Sequence, residues 1–495
     1  MSGISIRTTA TTMSPRKKQK HFASTQSPQS DAHAGNVAGY NGPITRSRAL
    51  PRPIHNLPLE VLGEILIFAF PTDQELYSLY EHRYVNLDRR KLINPTLVFC
   101  AVCSSWRFLA FSTPRLWNTV LIHIPRNINR AQAIRKAAHL VQWIERARSL
   151  PMTLHIFGFS IGKTPTPEAP ILSVINDHAA RWESLYSPDP QSFDFSEWHS
   201  LRRLCFPSSD PVSRSCEIAP WVNLTHLGIR IYSGCWDPAT IFTKCPKLVY
   251  LSILINYPSK IGPSTAPLVL EDLVTFHLMM NSVDGSGTLL HRFSLPSLRE
   301  FSFAEVSESP GGIPSILSLL TRSSCSLDKL EIRGLCIPSR GHLDLLAHSS
   351  CHSLTSLTIR NTYPSVCNDM YQSVDEELLR RLTLHQDDTV CHHLTSLVIS
   401  YCIPTPLHSA LLNMVESRIK SDTGEVPEEP TLRFLQLHMK YLRKTAAGLD
   451  KVGRTSGMEY KCKKSRFGFF SVRFRRQLEA FSEPDPFWSW PSYFY

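Results

Sequence analysis

A chain of 495 residues, 42% apolar and only 19% charged, is long enough for a sizeable core and for about three domains. Its formal charge of +11 sits at the ends: residues 1–53 hold eight Lys/Arg against Asp31, and residues 438–495 hold twelve against five acids. That split argues against a folded nucleic-acid-binding domain and for basic tails, and the longest fully apolar run, Ile65 to Phe70, is far short of the roughly 20 residues a membrane helix needs.

Residues 1–50 are rich in Ser, Thr, Gln, Gly and Pro with few large apolar groups, and read as a disordered tail. Pro15, Arg16, Lys17, Lys18, Gln19 and Lys20 within it form a basic cluster, either a nuclear-import signal or a solvated charge run. Residues 51–125 read as a helical domain. LPLEVLGEILIFAF starts at Leu57, where Pro58 suits a first helical turn, and Val61, Leu62, Ile65 and Phe68 recur at helical spacing as one apolar face. A polar stretch, Pro71 to Ile93, reads as an inserted loop, and a second apolar block follows, NPTLVFCAVCSSWRFLAFSTPRLWNTVLI from Asn94 to Ile122. In residues 126–150, Ala133, Ala137, Leu140, Val141, Ile144 and Ala147 predict an amphipathic linker helix over Arg130–Arg148.

Residues 151–437 contain a repeat. Leu-x-x-Leu-x-Φ, with Φ an Ile, Leu or Phe, begins at Leu201, Leu224, Leu248, Leu327, Leu354, Leu394 and Leu432, while Leu273 and Leu298 open variants with Phe at the second Leu. The starts fall 23 to 29 residues apart as far as Leu354, then 40 and 38. The spacing resembles leucine-rich repeats, whose strands point the fourth and sixth residues of each hexamer into a shared core and the residues between them outward. That family often has Asn or Cys shortly after the strand; Asn256, Asn281 and Cys402 fit and Tyr232, Val306 and Leu335 do not, so an irregular solenoid is expected. Pro246, Pro296 and Pro430 suit turns entering strands. Residues 438–495 interleave Phe467, Phe469, Phe470 and Phe474 with Arg466, Arg473, Arg475 and Arg476, either a strand capping the solenoid or a nucleic-acid-binding tail.

Little in the chain points to chemistry. Phosphate-loop, dinucleotide, nucleophile-elbow and H-E-x-x-H motifs are missing. Cys391 beside His392 and His393, and Cys351 between His348 and His352, precede matching repeat units, so packing explains them better than a metal or a Cys-His nucleophile. Cys100 and Cys103 form a C-x-x-C without a second pair and read as helix packing rather than zinc. Thirteen scattered cysteines, with no leader sequence read ahead of them, predict reduced thiols in the cytoplasm or nucleus. No cofactor and no metal are expected.

The two apolar blocks together resemble an F-box. The marks are Leu57-Pro58, then Val102, Cys103 and Trp106 with Arg107 beside them, then Pro114, Leu116 and Trp117, in that order. The resemblance implies an α/β chain in which an N-terminal helical F-box precedes an irregular leucine-rich-repeat-like solenoid, as in fungal-type F-box proteins. It implies docking on a Skp-type adaptor, and through it on cullin, by Leu57, Pro58, Val61, Leu62, Ile65, Leu97, Val102, Cys103 and Trp106, which contact the adaptor or hold the helices that do. The repeat face is expected to take a protein substrate for ubiquitination, with Arg230, Tyr250, His277, Glu300, Lys329, Glu331, Arg333 and Arg360 as outward candidates and no catalysis by this subunit. The alternatives are a repeat scaffold unrelated to ubiquitination and nucleic-acid binding through the basic C-terminus.

Overall fold

Nine hexamers, each with its first, fourth and sixth residues apolar, give the chain its frame. The computed structural model describes residues 57–69, 95–125, 127–157, 167–187, 193–206, 221–231, 242–255, 267–280, 289–305, 312–334, 338–360, 374–384, 388–400, 407–419, 432–440, 459–464 and 469–475. The expected disordered tail with its basic cluster, the expected loop 71–93, and Pro430, Asn256, Asn281 and Cys402 lie outside these residues, as do Tyr232, Val306 and Leu335.

In chain order come α1 (Leu59–Phe68), α2 (Pro95–Val102), α3 (Ser104–Ser112), a 3-10 turn at Pro114–Trp117, β1 (Thr119–His123), α4 (Arg130–Arg146), β2 (Met152–Phe157), α5 (Ala169–Asp177) and β3 (Trp182–Tyr186). Then follow β4 (Arg203–Phe206), β5 (His226–Ile231), β6 (Tyr250–Ile255), β7 (Leu268–Val269), β8 (Thr275–Met280), β9 (Phe293–Ser294), β10 (Glu300–Glu305), α6 (Gly312–Ser323), β11 (Lys329–Gly334) and α7 (Ser339–Leu346). The last elements are β12 (Ser356–Arg360), α8 (Glu376–Arg381), β13 (Ser396–Ser400), α9 (His408–Ile419), β14 (Phe434–Lys440), β15 (Glu459–Lys464) and β16 (Phe469–Arg475).

The chain is α/β, built on a 14-stranded sheet in the order β1-β2-β3-β4-β5-β6-β8-β10-β11-β12-β13-β14-β16-β15. The first twelve are parallel and sit side by side in chain order; β16 and β15 close the end antiparallel. Each hexamer forms one strand, and every pair keeps the same register. Third residue faces third residue through His226, Tyr250, Thr275, Glu300, Lys329, Ser356, Ser396 and Phe434. All first, fourth and sixth positions are buried, from Leu201, Leu204 and Phe206 to Leu432, Leu435 and Leu437. A Leu so placed contributes about 2 kcal/mol relative to an exposed one, so a unit with three gains its stability only when a neighbour covers it.

Backbone hydrogen bonding repeats with the same period. The carbonyl of each second residue accepts two N–H groups from the next unit: Arg202 O takes Thr225 N and His226 N, Thr225 O takes Val249 N and Tyr250 N, and the series runs on to Thr395 O with Arg433 N and Phe434 N. Threonine hydroxyls at three of these second positions, Thr225, Thr355 and Thr395, donate to the same carbonyls. Before seven of the nine hexamers a tight turn buries an apolar or thiol side chain three residues ahead of the first Leu: Trp198, Trp221, Cys245, Leu270, Leu295, Cys351 and Cys391.

Sheet strands begin before the first hexamer. β1, β2 and β3 extend the sheet, and α4, expected as a linker, crosses from β1 to its parallel neighbour β2. It ends at Arg146, with Arg148 just beyond in a left-handed conformation (φ 54). Its start is a capping box of Asn129 and Gln132. Trp117, at the end of the turn before β1, and Trp182, at the start of β3, each donate the indole N–H to a carbonyl seven residues back, Ala110 O at 2.7 Å and Ile175 O at 2.8 Å. The returns on the core face are helices at both ends of the sheet, while β7 and β9 pair in a small sheet between them.

Three arginines fasten successive units. Arg181 donates to Ile144 O and Leu150 O, Arg322 to Leu290 O and Phe293 O, and Arg418 to Leu382 O, Val390 O and Cys391 O. Each guanidinium satisfies carbonyls that the end of the preceding unit leaves without helical partners. Burial lowers the Arg418 pKa to about 10, so the side chain, only 1% exposed, stays cationic at neutrality. Arg418→Ala is expected to cost about 3 kcal/mol by stranding those carbonyls, and Arg418→Lys to recover only part of it, because an ammonium lacks the planar fork; urea unfolding of both variants checks this.

His342 of α7 is fully buried, and neither ring nitrogen makes a hydrogen bond. Burial pulls its pKa down from 6.5 to about 4, with the nearby Asp375 carboxylate opposing. Asp375 itself caps α8 through Leu378 N and accepts from Ser339 Oγ at the start of α7. Between pH 6.5 and 4 the unfolded imidazole takes up a proton that the folded one refuses, so this group's contribution to stability falls as pH drops through that window. The melting temperature of the native chain is therefore expected to fall further between pH 7 and 4.5 than that of His342→Leu; parallel slopes would refute the assignment.

Candidate interaction surfaces

The first surface lies on the N-terminal helices. α1 begins one residue after Pro58, whose carbonyl accepts the Leu62 N–H. LEVLGEILIF is apolar on nearly every side, and the structure divides it: Leu62, Gly63 and Leu66 are buried, while Val61, Ile65 and Phe68 are exposed, Phe68 to 90%. The single apolar face expected from Val61, Leu62, Ile65 and Phe68 is thus corrected to two. Leu62 lies about 100° around the helix from Val61 and turns into the core, leaving the other three as a stripe facing outward.

α2 shows the same inversion. Thr96 turns inward and donates to Leu116 O at 2.7 Å, while Leu97, Val98 and Val102 face out with no charged residue in the helix. Cys103 caps α3, its sulfur accepting from Trp106 N, and Trp106 packs edge-on against Phe99 with centroids 6.3 Å apart. Arg107 Nε donates to Cys100 O at 2.8 Å, and Arg115 pairs with Glu64 at 2.7 Å across to α1. Of the fourteen exposed large apolar side chains among the described residues, ten belong to this short region: Leu57, Leu59, Val61, Ile65, Phe68, Leu97, Val98, Val102, Phe108 and Phe111. Such concentration marks an interaction site, because exposed apolar residues are otherwise scattered singly. Leu59, Val98, Phe108 and Phe111 were not anticipated, although helical alternation around Val61 and Val102 contains the signal for the first two.

The second surface is the sheet face opposite the core. All eight outward candidates lie on it, in three rows set by the register. Tyr250, Glu300 and Lys329 occupy the third-position row, His277 and Glu331 the fifth, and Arg230, Arg333 and Arg360 the seventh. Arg230 is placed by its backbone alone. Tyr250 is buried: it stacks on His226 and its hydroxyl lies 3.1 Å from His277 Nδ1. Burial lowers the His277 pKa to about 4, which keeps this pair neutral. Further along the seventh row Leu254, Met279 and Ala304 form a small buried cluster, so this face is apolar in mid-sheet rather than uniformly solvated.

Charge gathers on β10–β12. Lys329 Nζ lies 2.6 Å from Glu300 Oε1. Glu331 Oε1 meets Arg333 at 2.8 Å and Arg360 at 3.9 Å, and Ser302 Oγ donates to Oε2 at 3.1 Å. Burial raises the Glu331 pKa, but the guanidiniums of Arg333 and Arg360 outweigh it and the net shift is downward. Cys351 and Cys391, beside their histidines, are buried in strand-entry turns; burial pushes both thiols up, Cys391 to about 12. Among the described residues no group of three His, Cys, Asp or Glu side chains could hold a metal ion, and no helix is long and apolar enough to cross a membrane.

Glu331→Gln is expected to lower stability by about 1–2 kcal/mol at pH 7. A carboxylate with a depressed folded pKa stabilises above its unfolded pKa and loses that contribution as pH falls through the folded value, so the two proteins should converge once the pH lies well below the ordinary glutamate range. Thermal melts across that range test it. No protein-family model matches the chain, and no curated protein matches it either.

Proposed function

We propose that this chain is a non-catalytic substrate-recognition adaptor of a Skp-cullin-F-box ubiquitin ligase, with an F-box-like helical region and a leucine-rich-repeat-like solenoid. One observation carries the reading: the helical region that bears the F-box marks, residues 57–112, holds ten exposed large apolar side chains among the described residues. In this reading Leu57, Pro58, Val61, Ile65, Leu97 and Val102 meet the Skp-type adaptor. Leu62, buried beneath them, holds α1 in place, and Cys103 and Trp106 set α3 against α2. An apolar, uncharged contact of this kind suits the desolvated centre of a protein interface.

The solenoid reading is supported by twelve parallel strands in chain order, by hexamers that share one register, and by apolar side chains of the described return helices that join the strands' core. Stacked in this way, the units offer a broad sheet face on which a protein substrate is held, while cullin, reached through the adaptor, brings the conjugating enzyme. The setting is the cytoplasm or nucleus. A second reading is a repeat scaffold outside any ligase, with α1–α3 as its helical cap. It is favoured by the fact that Leu62, Leu66, Leu109 and Trp117 belong to the same continuous core as the strands.

Adaptor capture separates the two. The full chain is expected to retain purified Skp-type adaptor on beads, and Val61→Asp with Ile65→Asp to abolish retention while circular dichroism and melting temperature stay unchanged, since both side chains are exposed. Leu62→Asp should instead unfold the helical region. Failure of the folded native chain to retain adaptor would move the scaffold reading to first place.

A further inference from the structure

Helices α3 and α4 bring together a further group of side chains, none of them among those assigned to the adaptor. We propose that this group docks an acidic segment of a partner protein, which sets an apolar side chain against Phe108 and offers Asp or Glu carboxylates to Arg107 and Arg146.

The local charge favours such a partner. Residues 95–148 hold eight Lys/Arg against a single acid, Glu145. On α4, Arg135, His139, Gln142 and Arg146 follow one another at intervals of four, three and four residues, which lines them up along one side of the helix. Arg135, His139 and Gln142 are exposed and Arg146 is partly so. Glu145 stands about 100° around the helix from Arg146 and is no part of this stripe.

Arg146 is held in position without its charge being matched. Its guanidinium carbon lies 4.7 Å from the centroid of the Phe111 ring and 4.5 Å from that of Trp117, and the two rings are stacked on each other at 5.6 Å. Trp143, on the preceding turn of α4, packs edge-on against Trp117 at 4.6 Å and steadies the platform. Cation-π contact orients a guanidinium but supplies no carboxylate. Among the described residues Arg146 makes no ion pair and no hydrogen bond. Arg107 spends only Nε, on Cys100 O at 2.8 Å, and its two terminal nitrogens are unpaired among the described residues. Both cations bear on Cys100: burial raises its thiol pKa, and Arg146 and Arg107 pull it the other way. Two unmatched guanidiniums gathered about one point suit a pair of carboxylates, each taken by a planar fork through charge-assisted hydrogen bonds. The stacking of Arg146 also reduces the rotamer freedom lost when a partner binds.

Phe108 supplies the apolar contact. It is 66% exposed, adjoins Arg107 in sequence and precedes Phe111 by three residues on α3. Arg and aromatic side chains in company are the usual anchors of a protein–protein interface. Nucleic acid fits less well, because single strands stack successive bases on open rings, and here Arg146 already occupies Phe111 and Trp117.

The experiment is fluorescence anisotropy of the full chain with labelled Gly/Ser peptides. One carries two Glu residues flanking a Leu, one has Gln in place of each Glu, and one has Gly in place of the Leu; a single-stranded oligonucleotide is the fourth probe. The peptide with both Glu and Leu is expected to bind most tightly. Arg146→Gln and, separately, Phe108→Ser should each weaken it about tenfold, in keeping with loss of a charge-assisted bond or of a buried apolar anchor. Arg115→Gln, which removes a guanidinium already matched by Glu64, should leave it within about twofold. Circular dichroism and melting temperature show that the variants are folded, and both site variants are expected to retain adaptor as the native chain does. Equal binding of the three peptides, no binding of any, tighter binding of the oligonucleotide, or indifference to both site variants would overturn the proposal. Loss of adaptor retention in folded Phe108→Ser would assign the face to the adaptor and overturn it as well. Selective peptide binding by a native chain that retains no adaptor would uphold it and remove the ligase reading alone.

Discussion

Every hexamer strand of the large sheet depends on the neighbour that covers its apolar row, and the register these strands share is what makes this possible. Because the fourth and sixth residues of each hexamer meet the fourth and sixth of the next, a slip of one residue in any strand would send its Leu side chains to the opposite face and bring its polar residues into the core. At about 2 kcal/mol for each buried Leu, that exchange outweighs any single surface interaction in the molecule. The doubled hydrogen bonds at each second-position carbonyl start every hexamer strand at the same level, and Arg181, Arg322 and the buried Arg418 tie the ends of the returns to the units before them.

That division of labour leaves the remaining positions free for function. The core face is uniform from unit to unit, whereas the opposite face changes along the sheet, from the neutral His226–Tyr250–His277 group to the apolar Leu254–Met279–Ala304 cluster and then to the ion pairs of β10–β12. The N-terminal helices join the same core through Leu62, Leu66 and Trp117 while turning a second apolar set outward. Adaptor docking and substrate capture, as proposed, would therefore be served by separate faces of elements that share one core.

Much of the sheet was legible in the sequence because the hexamer is a local signal: two Leu and a Φ at fixed offsets set both strand and register. The first three strands were not, since none carries the Leu-x-x-Leu-x-Φ hexamer; Trp117 and Trp182 stand where the opening Leu of two of them would be. Helix ends were blurred for a related reason. Arg148 and Ser324 adopt left-handed backbone where Gly is usual, so the ordinary stop signal after α4 and α6 is missing. On α1, where almost every residue is apolar, helical spacing alone offered no way to tell the core stripe from the exposed one; the tertiary position of α3 decides it. Alternation along the strands found the outward rows, but not that Tyr250 is buried or that mid-sheet residues on that face pack together, because both depend on side chains from neighbouring units.

A row of parallel strands is in principle open to extension, since each end offers unpaired backbone groups on which another strand, or another copy of the protein, can add. At the C-terminal end the chain turns back on itself: β16 runs against β14, and β15 becomes the outermost strand with the sequence Glu-Tyr-Lys-Cys-Lys-Lys. A parallel unit can no longer dock there in the register that the hexamers share. The reversal thus converts a pattern that could polymerise into one of finite length, and guards the protein against filament growth at high concentration.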